Sequence, residues 1–314
     1  MPLYLACIAL PFYVLASMSD GIARSYNWIT LALAPHTLLR PLLLLALIAT
    51  VYLFGIAVDA VTAMLALVAA VWLSTLTQLI LLSRRLHTVV EPGARRYDVK
   101  DWFSTSLPII AVWAFYTLLT CTDVLVLQQF RPSDEVAHYY AATKTLSFVT
   151  FVYFSVAASM AHRFSACHAA GDTEGLATIV ASSVKWIFWP SLAATLLILA
   201  LGQPLLALFG PQFVNAYPVM FILAIGLMAR AAVGPTERLL TMVGQQRICV
   251  LGYAVAFAVN LTLCLALAGP YGGVGVAIAT ATAFVTESIL LALIAKRRLG
   301  LHMFVWQPKP RNLS

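Results

Sequence analysis

The chain has 314 residues, 62% hydrophobic and 10% charged, with mean hydropathy +0.91 and formal net charge +7. A soluble domain is roughly 25% charged, so this composition excludes a water-soluble globule and marks a polytopic membrane protein. The basic residues collect at the edges of apolar segments, which removes nucleic acid as the partner that a positive charge would otherwise suggest.

A helix that crosses a bilayer needs about 20 largely apolar residues. Nine segments qualify or nearly do: Pro2–Met18, Ile29–Phe54, Ala60–Leu82, Phe103–Thr122, Val136–Met160, Ile187–Leu201, Ala216–Val233, Val250–Ala268 and Val274–Ala295. Gly- and Pro-bearing separators punctuate them, among them Gly171-Asp172, Gly210-Pro211, Gly234-Pro235 and Gly269 to Gly273. The sixth span is short and starts beside Pro190. The long connection from His162 to Lys185 is expected to carry a surface-lying helix after Gly171-Asp172. Trp28, Trp102, Trp186, Trp189 and Trp306 fall near span boundaries, as an aromatic belt requires.

Orientation follows from lysine and arginine in the loops. The connections after the first, third, fifth and seventh spans carry Arg24, Arg84, Arg85, Arg163, Lys185, Arg238 and Arg247, and Lys296, Arg297 and Arg298 follow the ninth. The alternate connections hold only Arg131. This places the C-terminus in the cytoplasm and Met1 outside.

The five cysteines are scattered and form no C-x-x-C, so they read as small buried hydrophobes. No metal-ligand cluster, carboxylate pair or Ser/His/Asp set appears, which disfavours an enzyme and implies no cofactor. Gly272-Gly273-Val274-Gly275 opens a spanning helix without a preceding strand, so it is not a nucleotide loop. Gly275, Ala277, Ala279 and Ala281 instead suit close helix packing.

Charge inside a span is costly and usually faces a cavity or a partner. Arg40 stands between Pro35-His36 and Pro41, about 18 Å along a helix from Trp28. Lys144 lies roughly two turns into the fifth span, and Arg230 near the cytoplasmic end of the seventh. Asp123 ends the fourth span, and Glu287 is the deepest acid, in the middle of the ninth. Asp20 and Arg24 fall in the first connection, as a cap or a cytoplasmic gate.

Aligning Arg84-Arg85 with Arg297-Arg298 lays spans one to three over spans seven to nine, as in transporters built of two homologous halves. The expected division is a partial first lobe over 1–88, a cytoplasmic linker over 89–102, a six-helix lobe over 103–300 and a tail over 301–314. The first lobe then looks short by about three helices.

Several runs carry a family likeness: Asp123 to Phe130 (DVLVLQQF), Glu135 to Lys144 (EVAHYYAATK), Pro204 to Phe213 (PLLALFGPQF), Ala268 to Thr280, and Lys296 to Gly300 (KRRLG). In order and spacing the chain resembles the polysaccharide-biosynthesis flippases, the Wzx-like transporters of the MOP superfamily, which are related to MATE exporters. The resemblance implies an all-α two-lobe bundle in the bacterial inner membrane. It also implies alternating-access export of a polyprenyl-diphosphate-linked oligosaccharide for polysaccharide, O-antigen or exopolysaccharide synthesis. Partners would be that lipid-linked oligosaccharide, membrane lipids, and polysaccharide polymerase and assembly proteins acting on the same product. Arg40 and Lys144, with Arg230 a further cavity cation, would then bind the diphosphate, since cationic donors suit phosphate oxygens. The plainer roles are a snorkelling Arg40, a Lys144 paired with Asp123 or Glu135, and an Arg230 that anchors its helix end. Glu287 and Asp123 are the candidates for ion coupling. A MATE-like cation exporter, which would want acids in its cavity, and a truncated, non-transporting component of glycan assembly are the alternatives.

Overall fold

The computed structural model describes residues 2–26, 28–55, 59–90, 93 and 97–306. The described residues form helices and turns, in two compact units, Met1–Tyr97 and Asp98–Ser314.

In the first unit, α1 (Pro2–Ser25) packs on α4 (Ala60–Val89). Between them in sequence come α2 (Ile29–Ala34), a π-turn over Pro35–Leu39, and α3 (Arg40–Leu53), which continue as one rod. Pro41 has no amide hydrogen, so the regular ladder cannot be completed there, and the Arg40 amide reaches back to the Pro35 carbonyl. Ala23, Leu31, Ala32 and Leu82 form the small core. Polar side chains join the helices: the Gln78 amide donates to the Leu31 carbonyl at 3.3 Å, and the Thr75 hydroxyl to that of Phe12 at 3.4 Å. Asp59 caps α4, accepting from the Val61 and Thr62 amides. The first connection begins later than its composition implies. α1 runs through Asp20 and Arg24, which are therefore helical, four residues apart and paired at 2.8 Å.

The second unit starts with α5 (Val99–Phe130) and α6 (Ser133–Ala169), then α7 (Thr173–Ala200) and the short α8 (Gly202–Ala207). A 3₁₀ turn over Pro211–Ala216 leads into α9 (Tyr217–Val233), α10 (Thr236–Met242) and α11 (Gln246–Leu299). α7 corrects the expected surface helix and short sixth span. Asp172 caps one helix that continues through Pro190, so both pieces belong to it. Its internal proline removes one hydrogen bond without ending the helix.

α11 has 54 residues, roughly 80 Å if straight, far more than one bilayer crossing of about 30 Å. It is not straight. Gly272 has φ 54° and ψ −137°, and the chain folds back there into two antiparallel arms. A Cβ on Gly252 would lie 3.2 Å from Leu291 of the other arm, and one on Gly275 would collide with the Leu267 carbonyl. Gly226 of α9 likewise sits against Ala281, whose Cα would be 2.8 Å from an added Cβ. The small residues of the second arm thus set the spacing of the bundle.

The hairpin tip is clamped by the turn between α5 and α6. Arg131 donates to the Ala268 carbonyl at 3.3 Å and the Gly269 carbonyl at 2.7 Å, and Glu135 accepts from the Gly273 amide at 2.7 Å. A cation thus meets the carbonyl end of one arm and an anion the amide end of the next, each opposing the local helix dipole. Arg131 and Glu135 also lie 3.8 Å apart. One core gathers near this tip, around Leu127, Tyr139, Leu206, Met220 and Val276. A second gathers toward the opposite end, around Phe164, Val184, Leu239, Tyr253 and Leu291.

Seven helices among the described residues are long and apolar enough to cross a membrane, α11 counting once despite its two arms. Trp102, Trp186, Trp189 and Trp306 are exposed on the surface.

Candidate functional site

α9 ends in the interior of the second unit. Gly234 has φ 64°, where an L side chain is strained, and an added Cβ would lie 2.7 Å from the Val184 side chain and 3.0 Å from its Cα. The chain turns through Pro235 and resumes as α10. Breaking a spanning helix exposes backbone polar groups, which is tolerated where protein or a polar cavity meets them. Here the Tyr153 hydroxyl lies 3.4 Å from the Gly234 carbonyl, and the Thr236 hydroxyl donates to that of Val233 at 2.9 Å.

Arg230 stands one turn before this break. It lies in the last turn of α9, near the span's end as the sequence places it, but it is buried there rather than exposed. Its guanidinium meets Glu287 at 3.4 Å, and the two side chains are 9% and 3% exposed. The rings of Phe284, Tyr116 and Tyr153 surround it at 5.0, 5.3 and 5.4 Å. Burying an ion costs several kcal/mol unless it is paired, and a planar, weakly hydrated guanidinium stacked on aromatic faces is the cation best suited to such a site. The second oxygen of Glu287, Oε2, is buried and has no hydrogen-bond partner among the described residues.

A narrow crevice of about 20 Å³, room for about one water, reaches Arg230, with Trp113, Tyr116, Tyr153, Glu237 and Arg238 on its walls. Glu237, in the first turn of α10, contacts Arg238 at 3.5 Å and accepts from the Thr241 hydroxyl at 3.4 Å. From sequence Arg238 reads only as a loop cation, and the tyrosines are not singled out. The run Gly234-Pro235-Thr236-Glu237, a helix restart beginning four residues after Arg230, was the available signal.

Asp123 does not end its helix, since α5 continues to Phe130. The carboxylate is 4% exposed and accepts from the Tyr139 hydroxyl at 2.8 Å. The hairpin charges are thus partitioned: Asp123 with Tyr139, Glu135 with Arg131 and Gly273. Lys144 is exposed, 4.9 Å from the centre of the Tyr140 ring, and pairs with no carboxylate among the described residues.

In the first unit, Arg40 begins α3 directly after the π-turn, with its guanidinium 4.4 Å over the Tyr13 ring. Its Nε is buried without a hydrogen-bond partner. Arg40, like Lys144, has no ion-pair partner among the described residues, whereas Arg24 is neutralised by Asp20. Of the seven candidate residues, the fold joins Arg230 to Glu287 and Asp20 to Arg24. Within the first unit Arg40 stands over Tyr13, and within the second Lys144 and Asp123 make no ion pair with Arg230 or Glu287.

The family model MatE matches residues 108–267, about half of the chain. No curated protein matches the sequence significantly. Among solved structures, a mutant MATE protein is similar with TM-score 0.77 and 17% identity, over 94% of this chain and 68% of that one. The lipid II flippase MurJ, in an inward-closed conformation, is similar with TM-score 0.69 and 13% identity, over 94% and 62%. The chain thus spans about two thirds of the length of each. With its membrane-crossing helices, the chain is a multi-pass membrane protein with the fold of MATE and MurJ transporters, and it belongs to the MatE family.

Proposed function

We propose that the protein transports an anionic, lipid-linked oligosaccharide across the bacterial inner membrane by alternating access. The chemistry is recognition of a polyprenyl diphosphate by cations, with Arg40 in the first unit and Lys144 in the second each a candidate phosphate contact. The observation that carries this reading is the balance of free charge in the spanning helices. Glu287 is neutralised by Arg230, and Asp123 is buried against Tyr139, while Arg40 and Lys144 lack carboxylate partners among the described residues. The Tyr139 hydroxyl is neutral, so Asp123 keeps its charge, yet two cations against one acid leave a positive excess, and positive charge recruits phosphate oxygens. In this reading the open oxygen of Glu287 and the broken helix beside it serve coupling rather than substrate binding. Asp20 with Arg24 forms a gating pair at the cytoplasmic side.

A MATE-like exporter of organic cations is the second reading, favoured by the family match over residues 108–267. It would use Asp123 or Glu287 as substrate carboxylates. The full chain, reconstituted in proteoliposomes, separates the two. The first reading expects a fluorescent polyprenyl-diphosphate oligosaccharide to become accessible across the bilayer and ethidium to stay excluded. Ethidium transport without lipid flipping would overturn it.

A further inference from the structure

A groove of about 330 Å³ runs along the second unit between α9 and the arm of α11 after Gly272. One wall is built by the segment that follows α11. Gly300, with φ 68°, ends the helix in the left-handed conformation, and the chain then doubles back. The Val305 amide donates to the Ala232 carbonyl at 3.1 Å, and Met303 and Val305 are buried in the core.

Along its length the groove is lined by side chains such as Val285, Ile289, Leu293 and Phe304. Between its ends the single polar side chain is Ser288, whose hydroxyl donates to the Phe284 carbonyl of its own helix. A glycan would leave its hydroxyls unsatisfied in such a channel. The polar contribution is confined to Lys296 and His302. Lys296 opens the run Lys296-Arg297-Arg298, where apolar sequence gives way to charge, as it does at the headgroup level of a bilayer. Lys296 has no ion-pair partner among the described residues. A hydrocarbon-lined channel with an unpaired ammonium at one end complements a single ligand class, a fatty chain bearing a phosphate. That volume lies at the lower end of the range of roughly 300–1,000 Å³ typical of ligand pockets, which suits one acyl chain rather than a long polyprenyl chain.

We infer that this groove holds one acyl chain of an anionic membrane phospholipid, with the lipid phosphate at Lys296 and His302. This site uses neither Arg40 nor Lys144, and occupancy does not depend on what the protein transports.

Native mass spectrometry of the full chain in detergent, titrated with dioleoyl phosphatidylglycerol, tests it, with dioleoyl phosphatidylcholine and glycerol 3-phosphate as comparisons. The expected result is preferential retention of one phosphatidylglycerol per chain, weakened about fivefold by Lys296→Ala and restored by Lys296→Arg. Ala292→Phe, which fills the groove, and Leu293→Glu, which places a carboxylate at its exposed edge, should each abolish the retained lipid. Unfolding temperature serves as the control for folding. Should Ala292→Phe fail to fold, the Lys296 pair of variants still decides. Equal retention of phosphatidylcholine, unchanged binding in Lys296→Ala, or full competition by glycerol 3-phosphate would overturn the assignment.

Discussion

Arg230 and Glu287 meet at 3.4 Å inside the second unit, with less than a tenth of either side chain exposed. One residue belongs to a helix broken four residues later and the other to the middle of a hairpin arm, so the pair ties the break to the bundle. Removing one partner leaves a buried charge, which costs about 3–5 kcal/mol, whereas replacing both by apolar groups is often neutral or better. Glu287→Ala should therefore lower the unfolding midpoint in detergent strongly, and Arg230→Met with Glu287→Leu should recover most of the loss. A double variant no more stable than the single one would show that the pair is not the source of the effect.

The break itself depends on Gly234. Alanine there must accept φ 64° and approach the Val184 backbone as well as its side chain. Strain of this kind costs about 1–3 kcal/mol. Gly234→Ala should destabilise the protein, and adding Val184→Ala should restore only part, because the crowding against the main chain of residue 184 and the backbone strain persist. Complete rescue would place the whole effect in the valine side chain.

At the other end, Arg131 and Glu135 hold the tip of the α11 hairpin. Arg131→Ala removes two charged hydrogen bonds, each worth about 1.5–3 kcal/mol. Amide exchange should accelerate locally around residues 268–273, where the affected carbonyls and the Gly273 amide lie. Exchange that stays slow at the tip in Arg131→Ala and Glu135→Gln would contradict the clamp.

Asp123 and Tyr139 form a buried hydrogen bond at 2.8 Å. Tyr139→Phe leaves one carboxylate oxygen unmet, at a cost of about 1–3 kcal/mol. Paired with Asp123→Leu in a double-mutant cycle of unfolding, the two changes should be non-additive. Additive losses would mean that the residues act independently.

The apolar spans and their Gly- and Pro-rich separators were legible because membrane helices must be continuously apolar and turns need special backbone. The fold-back at Gly272 was readable for the same reason. Helix ends were not. Asp123 looked like a terminus because an acid interrupts an apolar run, yet Tyr139 supplies a partner and α5 runs on to Phe130. Pro190 looked like a boundary, although its helix continues through it. The site suffered from a different blindness. Periodicity shows that Arg230 and Glu287 are charges in apolar helices, but not that they are each other's counter-ion. That pairing arises only when α9 packs on the second arm of α11 through Gly226 and Ala281.

Transport of a lipid-linked diphosphate rests most directly on the two unpaired cations. The decisive measurement is the flipping rate of a fluorescent polyprenyl-diphosphate oligosaccharide in proteoliposomes containing the wild-type chain, Arg40→Ala, Lys144→Ala or the double variant, with folding verified for each. A charged hydrogen bond is worth about 1.5–3 kcal/mol, so each single change should slow flipping roughly tenfold or more. The double variant should lose it nearly completely, and Arg40→Lys should retain part. Wild-type flipping by the double variant would contradict the assignment of these residues to the substrate.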